Sequence, residues 1–377
     1  MVAAYARHSG VGHVTPRWAF SVPLMSDEII SSWLVRAALT QGCDPLVMTG
    51  EIWPNWRIWT QDADRFLVED RIDPLIAASG ITKDAFRTAT LYPVACRILG
   101  GNPPQKARWP WILALGARNT KRRGGLQYCP SCLRTDINPY YRIQWRFVWH
   151  TGCERHRCSL LDRCWNCGAP LELHRLIAED GHVAVCATCK ADLRTVESDP
   201  YSFDAMVFQQ EGDRVLHESR GTCLGRPVST TEWFQLANFF ASLVRRASRS
   251  RADALVSLAT LVEAPLPEGL PRIAGVGVEQ LRGQERQKIL GAAWRFLATD
   301  RCRIEGALKK SGITRQGLCG RGNPSPALVA ELAETLPNNP VTRTRRPKPH
   351  LTGPRPHHQV MHMMARLERR LKIKCNV

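Results

Sequence analysis

Apolar positions between Ser26 and Gly42 recur at helical spacing, with Ile29, Ile30, Trp33, Leu34, Ala37 and Ala38 on one broad face. Ser26 is the expected cap, Asp27 and Glu28 suit the positive end of the helix, and Gly42 is the expected stop. A tryptophan-rich stretch follows (Trp53, Trp56, Trp59), where Pro54 argues against a regular helix. Residues 73–91 read as helix, turn, helix. Asp73 opens the first helix, Gly80 supplies the turn, Thr82 caps the second, and Phe86, Ala89 and Leu91 face inward. The pattern returns at 304–320, with a helix over Ile304–Lys310, a turn at Gly312, a cap at Thr314, and Leu318 inward. The two junctions read Ser79-Gly80-Ile81-Thr82-Lys83 and Ser311-Gly312-Ile313-Thr314-Arg315. Both are helix-turn-helix candidates. Ile76 and Leu308 stand where a small residue is usual, so an ordinary packed helix pair is an equal alternative.

Tyr141, Ile143, Trp145, Phe147 and Trp149 alternate with Arg142, Gln144 and Arg146, which predicts a strand with one buried face. Its arginines then face a nucleic acid or an acidic partner, or simply cover the sheet. Beyond Leu193 the periodicity is helical again, over Thr231–Ser248, Gln280–Ala298 and Ser325–Leu336. The fold expected is mainly α with a small zinc-ribbon-like β region. It divides into an N-terminal helical domain (1–120), a tandem metal-binding region (121–200), a helical C-terminal domain (201–336) and a basic tail (337–377). Pro337–His358 is rich in proline and basic residues and reads as disordered, and His362–Lys374 reads as a short basic helix.

Charge narrows the class of partner. The chain carries 52 Lys and Arg against 34 Asp and Glu, a net +18, which favours a polyanion. Half of that excess lies in Val341–Val377, where ten basic residues face one Glu. An arm for phosphates and a merely solvated tail are the two readings. Candidate nucleic-acid contacts are Lys83 and Arg87, the linker residues Lys121, Arg122 and Arg123, then Arg315 and Arg321, and Arg345 and Arg346 in the tail. No stretch approaches the roughly 20 apolar residues of a membrane span. Arg7, His8, His13, Arg17 and Asp27 interrupt any signal-peptide core, so a reducing compartment is expected.

In such a compartment paired Cys-x-x-Cys spacings point to metal or redox work rather than disulfides. Cys129-x2-Cys132 is followed after 20 residues by Cys153-x2-His156. Seven residues later comes Cys164-x2-Cys167, and after 18 more, Cys186-x2-Cys189. A tight turn bearing two ligands two residues apart supplies one edge of a tetrahedron, so four such turns within 61 residues predict two closed, structural zinc sites. No strand-helix context supports a redox dithiol. Pairing in sequence order is the simpler arrangement, with an interleaved one left open. Cys158 can replace His156, and His150 and His174 are lesser competitors. Cys43, Cys96, Cys223, Cys302, Cys319 and Cys375 read as core or incidental.

Tyr128-Cys129-Pro130-x-Cys132-Leu133 leads through Asp136, Pro139-Tyr140-Tyr141-Arg142 and Trp145-Arg146 to Cys153-x2-His156, Leu160-Leu161 and Cys164-x2-Cys167-Gly168. That run resembles the TniQ family of transposition proteins. Asp27-Glu28-x2-Ser31-Ser32-Trp33-Leu34 and the helix pair at 73–91 resemble the family's opening segment. The resemblance covers roughly residues 20–190 and is most specific over 128–168. It implies a non-catalytic protein of the bacterial cytoplasm, at the nucleoid, that selects the insertion site of a Tn7-like transposon. The implied partners are target DNA, directly or through an RNA-guided Cascade complex, and an AAA+ ATPase. A homodimer is compatible with it. The ligands carry over one by one, His156 being the single histidine.

An enzyme reading has little support. There is no Gly-x4-Gly-Lys-Ser/Thr loop, no Ser-His-Asp or HExxH signature, and the carboxylates form no nameable triad, so no catalytic residue is assigned. The competing class is a zinc-containing helix-turn-helix transcription regulator.

Overall fold

The computed structural model describes residues 18–66, 69–104, 108–115, 125–250, 253–270, 277–320 and 325–338, together with 357, 358, 360, 361, 363 and 364. Contacts group the chain into two units, 1–337 and 338–377. Among the described residues the first unit is mainly helical, with four short strands in two antiparallel hairpins.

The N-terminal part is built around α1 (Ile30–Thr40). Ile30, Trp33, Leu34, Ala37 and Ala38 enter one apolar cluster with Met48 and Ile52 of α2 (Pro45–Ile52), and with Ile58, Leu75 and Phe86. Ile29, Val35 and Leu39 enter a second, larger cluster. Burial on both sides explains why the apolar face is so broad. The helix starts at Ile30 rather than at Ser26 because the preceding backbone is committed elsewhere. Ile29 N–H donates to the Tyr141 carbonyl (3.0 Å) and Ile143 N–H to the Asp27 carbonyl (2.8 Å). Ser26 therefore caps nothing, and Asp27 and Glu28 precede the helix instead of lining its first turn.

Next come α3 (Ala63–Phe66), α4 (Glu69–Ser79), α5 (Lys83–Thr88) and α6 (Tyr92–Leu99). The helix expected to open at Asp73 opens at Glu69, with Pro74 inside it. The proline forfeits a single bond, to residue 70, close to the helix start. The turn and cap lie where expected. Gly80 is left-handed (φ 73°), and the Thr82 hydroxyl accepts from Ala85 N–H.

The strand expected over 141–149 does not form. Ile143–Arg146 is a 3₁₀ turn between two isolated bridges, Glu28 with Arg142 and Ile112 with Phe147. Alternation marks a half-exposed strand only if the polar face meets water. Here Tyr141, Trp145, Phe147 and Trp149 are buried, and so are Arg142 and Arg146. Regular structure in this region is limited to α7 (Pro130–Thr135) and the hairpin of β1 (Gly152–Cys153) with β2 (Cys158–Ser159).

The C-terminal half packs onto this segment. It contains α8 (Phe203–Glu218), β3 (Arg220–Cys223), β4 (Arg226–Ser229), α9 (Thr230–Ser250), α10 (Asp253–Leu261), α11 (Gly283–Leu297), α12 (Arg301–Ser311), α13 (Arg315–Cys319) and α14 (Ala327–Glu334). The β3–β4 hairpin was not expected. Its two-residue loop, Leu224-Gly225, has both φ angles positive (52° and 74°), the geometry that suits strand twist. Trp111, Trp149, Phe208 and Phe234 pack edge-on and tilted in one aromatic knot spanning both halves. Gln209 of α8 accepts from the Thr151 and Gly152 amides (3.0 and 3.2 Å). Arg286 of α11 is fully buried and donates to the Val148 carbonyl (2.6 Å) and the Gln127 side chain (2.6 Å). Burial holds its pKa down to about 10.

In the second unit, residues 357, 358, 360, 361, 363 and 364 are helical, with Val360, Met361, Met363 and Met364 exposed. His357 and His358 are thus helical rather than disordered. Apart from Pro337 and Asn338, the remainder of the expected tail and basic helix lies outside the described residues. No helix among the described residues is long and apolar enough to cross a membrane.

A Cβ on Gly212 would stand 3.0 Å from the Trp149 ring. Gly212→Val should therefore lower stability by about 1–3 kcal/mol in urea unfolding, by overpacking α8 against Trp149. A variant that unfolds at the wild-type midpoint would refute this packing.

Candidate metal centres

Two sets of four donor atoms are drawn together, in sequence order: Cys129, Cys132, Cys153 and His156, then Cys164, Cys167, Cys186 and Cys189. Within each set the ligand atoms lie within 4.8 Å of one another. The interleaved pairing is not what the fold adopts.

In the first set, Cys129 sits at the N-terminal boundary of α7, and its sulfur accepts from Cys132 N–H (3.4 Å). Cys153 comes from β1, and His156 from the turn before β2, where Arg157 takes a positive φ of 52°. His156 Nδ1 lies 3.5, 3.3 and 3.6 Å from the sulfurs of Cys129, Cys132 and Cys153. The sulfurs of Cys132 and Cys153 are 3.7 Å apart. With zinc–sulfur bonds of about 2.3 Å and zinc–nitrogen bonds of about 2.0 Å, tetrahedral edges come to about 3.8 and about 3.5 Å. The donors are thus spaced to close around one zinc-sized cation. Cys158 lies opposite Cys153 in the hairpin, and its sulfur is 3.6 Å from that of Cys129, yet it is not among the four mutually close atoms. His150 instead meets Asp213 Oδ1 (2.8 Å), and His174 stacks on Trp59.

The second set repeats one turn twice. Cys164 N–H donates to the Ala169 carbonyl and Gly168 N–H to the Cys164 carbonyl, both at 2.9 Å. Cys186 N–H likewise donates to Ala191, and Lys190 N–H to Cys186, again at 2.9 Å. The residue after the second cysteine is left-handed in both, Gly168 at φ 68° and Lys190 at 59°. Bridges Arg163–Pro170 and Val185–Asp192 close each turn from behind. Sulfurs of opposite turns approach to 3.6 Å (Cys164, Cys189) and 3.7 Å (Cys167, Cys186).

Electrostatics also fits a cation. Thiol hydrogen bonds from Cys132 and then Cys153 push the Cys129 pKa far down, while the bond to Cys129 pushes Cys132 far up. In the second set the Ala191 amide holds Cys189 down to about 6, whereas burial raises Cys164 to about 12. Sulfurs this close cannot all carry charge by themselves, and a divalent cation removes that restriction.

Around the first set runs a buried ion-pair framework. Arg146 pairs with Asp62 (2.6 Å) and with Asp64, and donates to the Leu113 carbonyl (3.0 Å). Asp64 also accepts from the backbone and hydroxyl of Ser31 (2.9 and 3.0 Å). Arg142 grips Asp136 with both terminal nitrogens (3.1 and 2.9 Å), lies 3.4 Å from Asp27, and stacks over Tyr140 and Trp145. Tyr140 donates to Asp27 (2.8 Å), and the Ser32 hydroxyl accepts from the Tyr141 amide (2.9 Å). Neither arginine faces a partner or covers a sheet: both are internal. Asp62 and Asp64 were missed in the sequence, where nothing marks an acidic pair for an arginine 84 and 82 residues away. Arg286 was missed because two of its partners, the Val148 carbonyl and the Gln127 side chain, lie far from it in the chain.

Among the described residues, the candidate nucleic-acid contacts fall on two separate helices, α5 and α13. Lys83 lies 3.9 Å from Asp73 and Arg87 3.1 Å from Asp84, both surface pairs worth little to stability. Arg315 is exposed at the first position of α13, after a cap in which the Thr314 hydroxyl accepts from Gly317 N–H (3.1 Å). The two helix pairs belong to different apolar clusters. Lys121, Arg122, Arg123, Arg321, Arg345 and Arg346 lie outside the described residues.

Residues 19–160 match the TniQ family model, so the chain carries a TniQ domain. The matched segment contains α1, the ion-pair framework and the first donor set, and ends before the second. Among characterised proteins, no match to the chain is found.

Two outcomes follow from this geometry. Metal analysis should find two zinc ions per chain and at least one fewer in Cys132→Ser and in Cys186→Ser, with the middle of the chain unfolding in each variant. A melt insensitive to chelator would refute structural metal. The second outcome concerns Asp64, whose pKa is raised from 3.8 to about 6, first by burial and further by Asp62, against the pull of Arg146. The folded chain thus holds this proton more tightly than the unfolded one, which contributes stability below pH 4 that is lost as pH rises through about 6. Between pH 5 and 7.5 wild type should lose about 1 kcal/mol relative to the non-titrating Asp64→Asn, and parallel pH profiles would contradict it.

Proposed function

We propose that this chain, through the TniQ domain carried by residues 19–160, is a non-catalytic target-site selector of a Tn7-like or related transposon. The family match is the observation that carries the reading, because a TniQ domain implies a transposon-associated role in target-site selection. In this reading the chain links target DNA, directly or through an RNA-guided Cascade complex, to the AAA+ ATPase that regulates the transposase. It works at the nucleoid of a bacterial cytoplasm, and a homodimer is compatible with it.

The two donor sets hold structural zinc, since four protein ligands leave no open position for a reacting water. Zinc at the first set closes the loop from Cys132 to Cys153, in which Arg142 and Arg146 reach their acids. The helix pairs α4–α5 and α12–α13 serve as helix-turn-helix units. Each has a left-handed glycine followed by a threonine cap, and Lys83, Arg87 and Arg315 lie on the second helix, with Arg321 the further candidate next in sequence. The linker and tail arginines supply sequence-independent phosphate contacts. The organisation proposed remains an N-terminal domain (1–120), a tandem zinc region (121–200), a C-terminal domain (201–336) and a basic tail.

The capped helix pairs also suit a transcription regulator, and partner choice separates the two. The selector should co-purify with the AAA+ ATPase encoded beside it when target DNA or a guide-RNA complex is present. Tight operator binding with repeated failure to engage that ATPase would overturn the proposal. Arg315→Ala should weaken target binding several-fold at unchanged melting temperature and lower the salt slope by about one, and unchanged affinity at both low and moderate salt would count against α13.

A further inference from the structure

We propose that the outer face of the second knuckle pair is a stacking site for an unpaired nucleobase, with Trp165 as its platform and Arg134 as its phosphate contact. Of the 12 tryptophans in the chain, Trp165 alone is exposed, at 47%. An indole buries more apolar area than almost any side chain, and the other 11 are buried or half-buried in the two apolar clusters or against them. Trp165 is held out by construction rather than left loose. It stands between Cys164 and Cys167, inside a turn fixed by the Cys164–Ala169 and Gly168–Cys164 hydrogen bonds. Its ring N–H donates to the Asp192 carbonyl (2.9 Å), which satisfies its one polar atom and fixes the ring plane. Among the described residues no other ring stacks on it, and about half of its surface is open to a planar ligand.

The surroundings specify which ligand. Asp192 is neutralised by Arg194, whose guanidinium lies 2.8 Å from the carboxylate. The Arg194 carbonyl in turn accepts from Arg134 of α7 (3.4 Å), so Trp165, Asp192, Arg194 and Arg134 form one continuous strip. Arg134 is exposed and bonds to neutral oxygens, that carbonyl and the Ser131 hydroxyl (3.2 Å), which leaves its charge for an anion. An aromatic face linked to a cation that, among the described residues, has no carboxylate partner is the arrangement that binds single-stranded nucleic acid, with the base stacked and the phosphate paired. A base within a duplex presents no free face, so the ligand is a single strand or a locally opened one. A stable protein interface needs a much larger apolar area, and here the only large exposed apolar neighbour on α7 or its end is Ile137.

The test uses the full-length, zinc-loaded chain and a DNA oligonucleotide of about a dozen nucleotides carrying one 2-aminopurine. Wild type should bind and quench the probe. Trp165→Ala should abolish the quench and weaken single-strand binding about five- to twenty-fold, while Trp165→Phe keeps most of both. Arg134→Ala should weaken binding about two- to five-fold and flatten its salt dependence. Zinc content and melting temperature are compared throughout, and if Trp165→Ala loses metal, Trp165→Phe and Arg134→Ala decide. The proposal is overturned if the alanine variant quenches and binds as wild type does, or if wild type binds no single strand. It is also overturned if Trp165→Ala loses the AAA+ ATPase while oligonucleotide binding is intact, which would make this a protein-docking face. Target selection measured in parallel tests the transposon reading separately, since that reading survives every one of these failures.

Discussion

Arg146 is the point on which the N-terminal half turns. It is fully buried, and its charge is met by Asp62 and Asp64, which precede and open α3. Asp64 reaches on to Ser31 at the start of α1. One guanidinium thereby fixes the loop that bears it, the α3 region and the central helix. Burying three charged groups is costly, and the arrangement tolerates it only because most of their polar atoms find partners. Removing one partner would strand the others in a dry interior, so the network favours a single register between α1 and the 139–149 segment over any near alternative.

That segment lies in the 20-residue span between Cys132 and Cys153. The first donor set closes this span into a loop, and the contents of the loop dock onto α1. The donor set and the ion pairs therefore act on the same stretch of backbone from opposite ends. The residues that resemble the family's opening segment and those that resemble its central run are each other's contacts: Asp27 with Tyr140 and Arg142, Ser32 with Tyr141, and Ser31 with Asp64 beside Arg146. What looks like two separate motifs along the chain is one interface.

The C-terminal half is attached by similar means. Arg286 enters the central segment and spends its donors on carbonyls and a glutamine rather than on a carboxylate. Gln209 and Asp213 of α8 meet Thr151, Gly152, Trp149 and His150. These bonds reach across residue 200 into the region of the donor sets, so the helices beyond it are held to the TniQ domain by polar contacts as well as by the aromatic knot.

The sequence by itself determined whatever is settled within a turn or two of chain. The caps at Thr82 and Thr314, the left-handed turns at Gly80 and Gly312, and the ligand pairs two residues apart were legible because their geometry depends on immediate neighbours. Only the tertiary structure decided the start of α1, the 3₁₀ turn in place of a strand, the choice of His156 over Cys158, and the inward course of Arg142 and Arg146. Each of these depends on groups distant in the chain, as Arg146 depends on Asp62 and Asp64. An arginine beside alternating aromatics reads as exposed until the carboxylates that bury it are known.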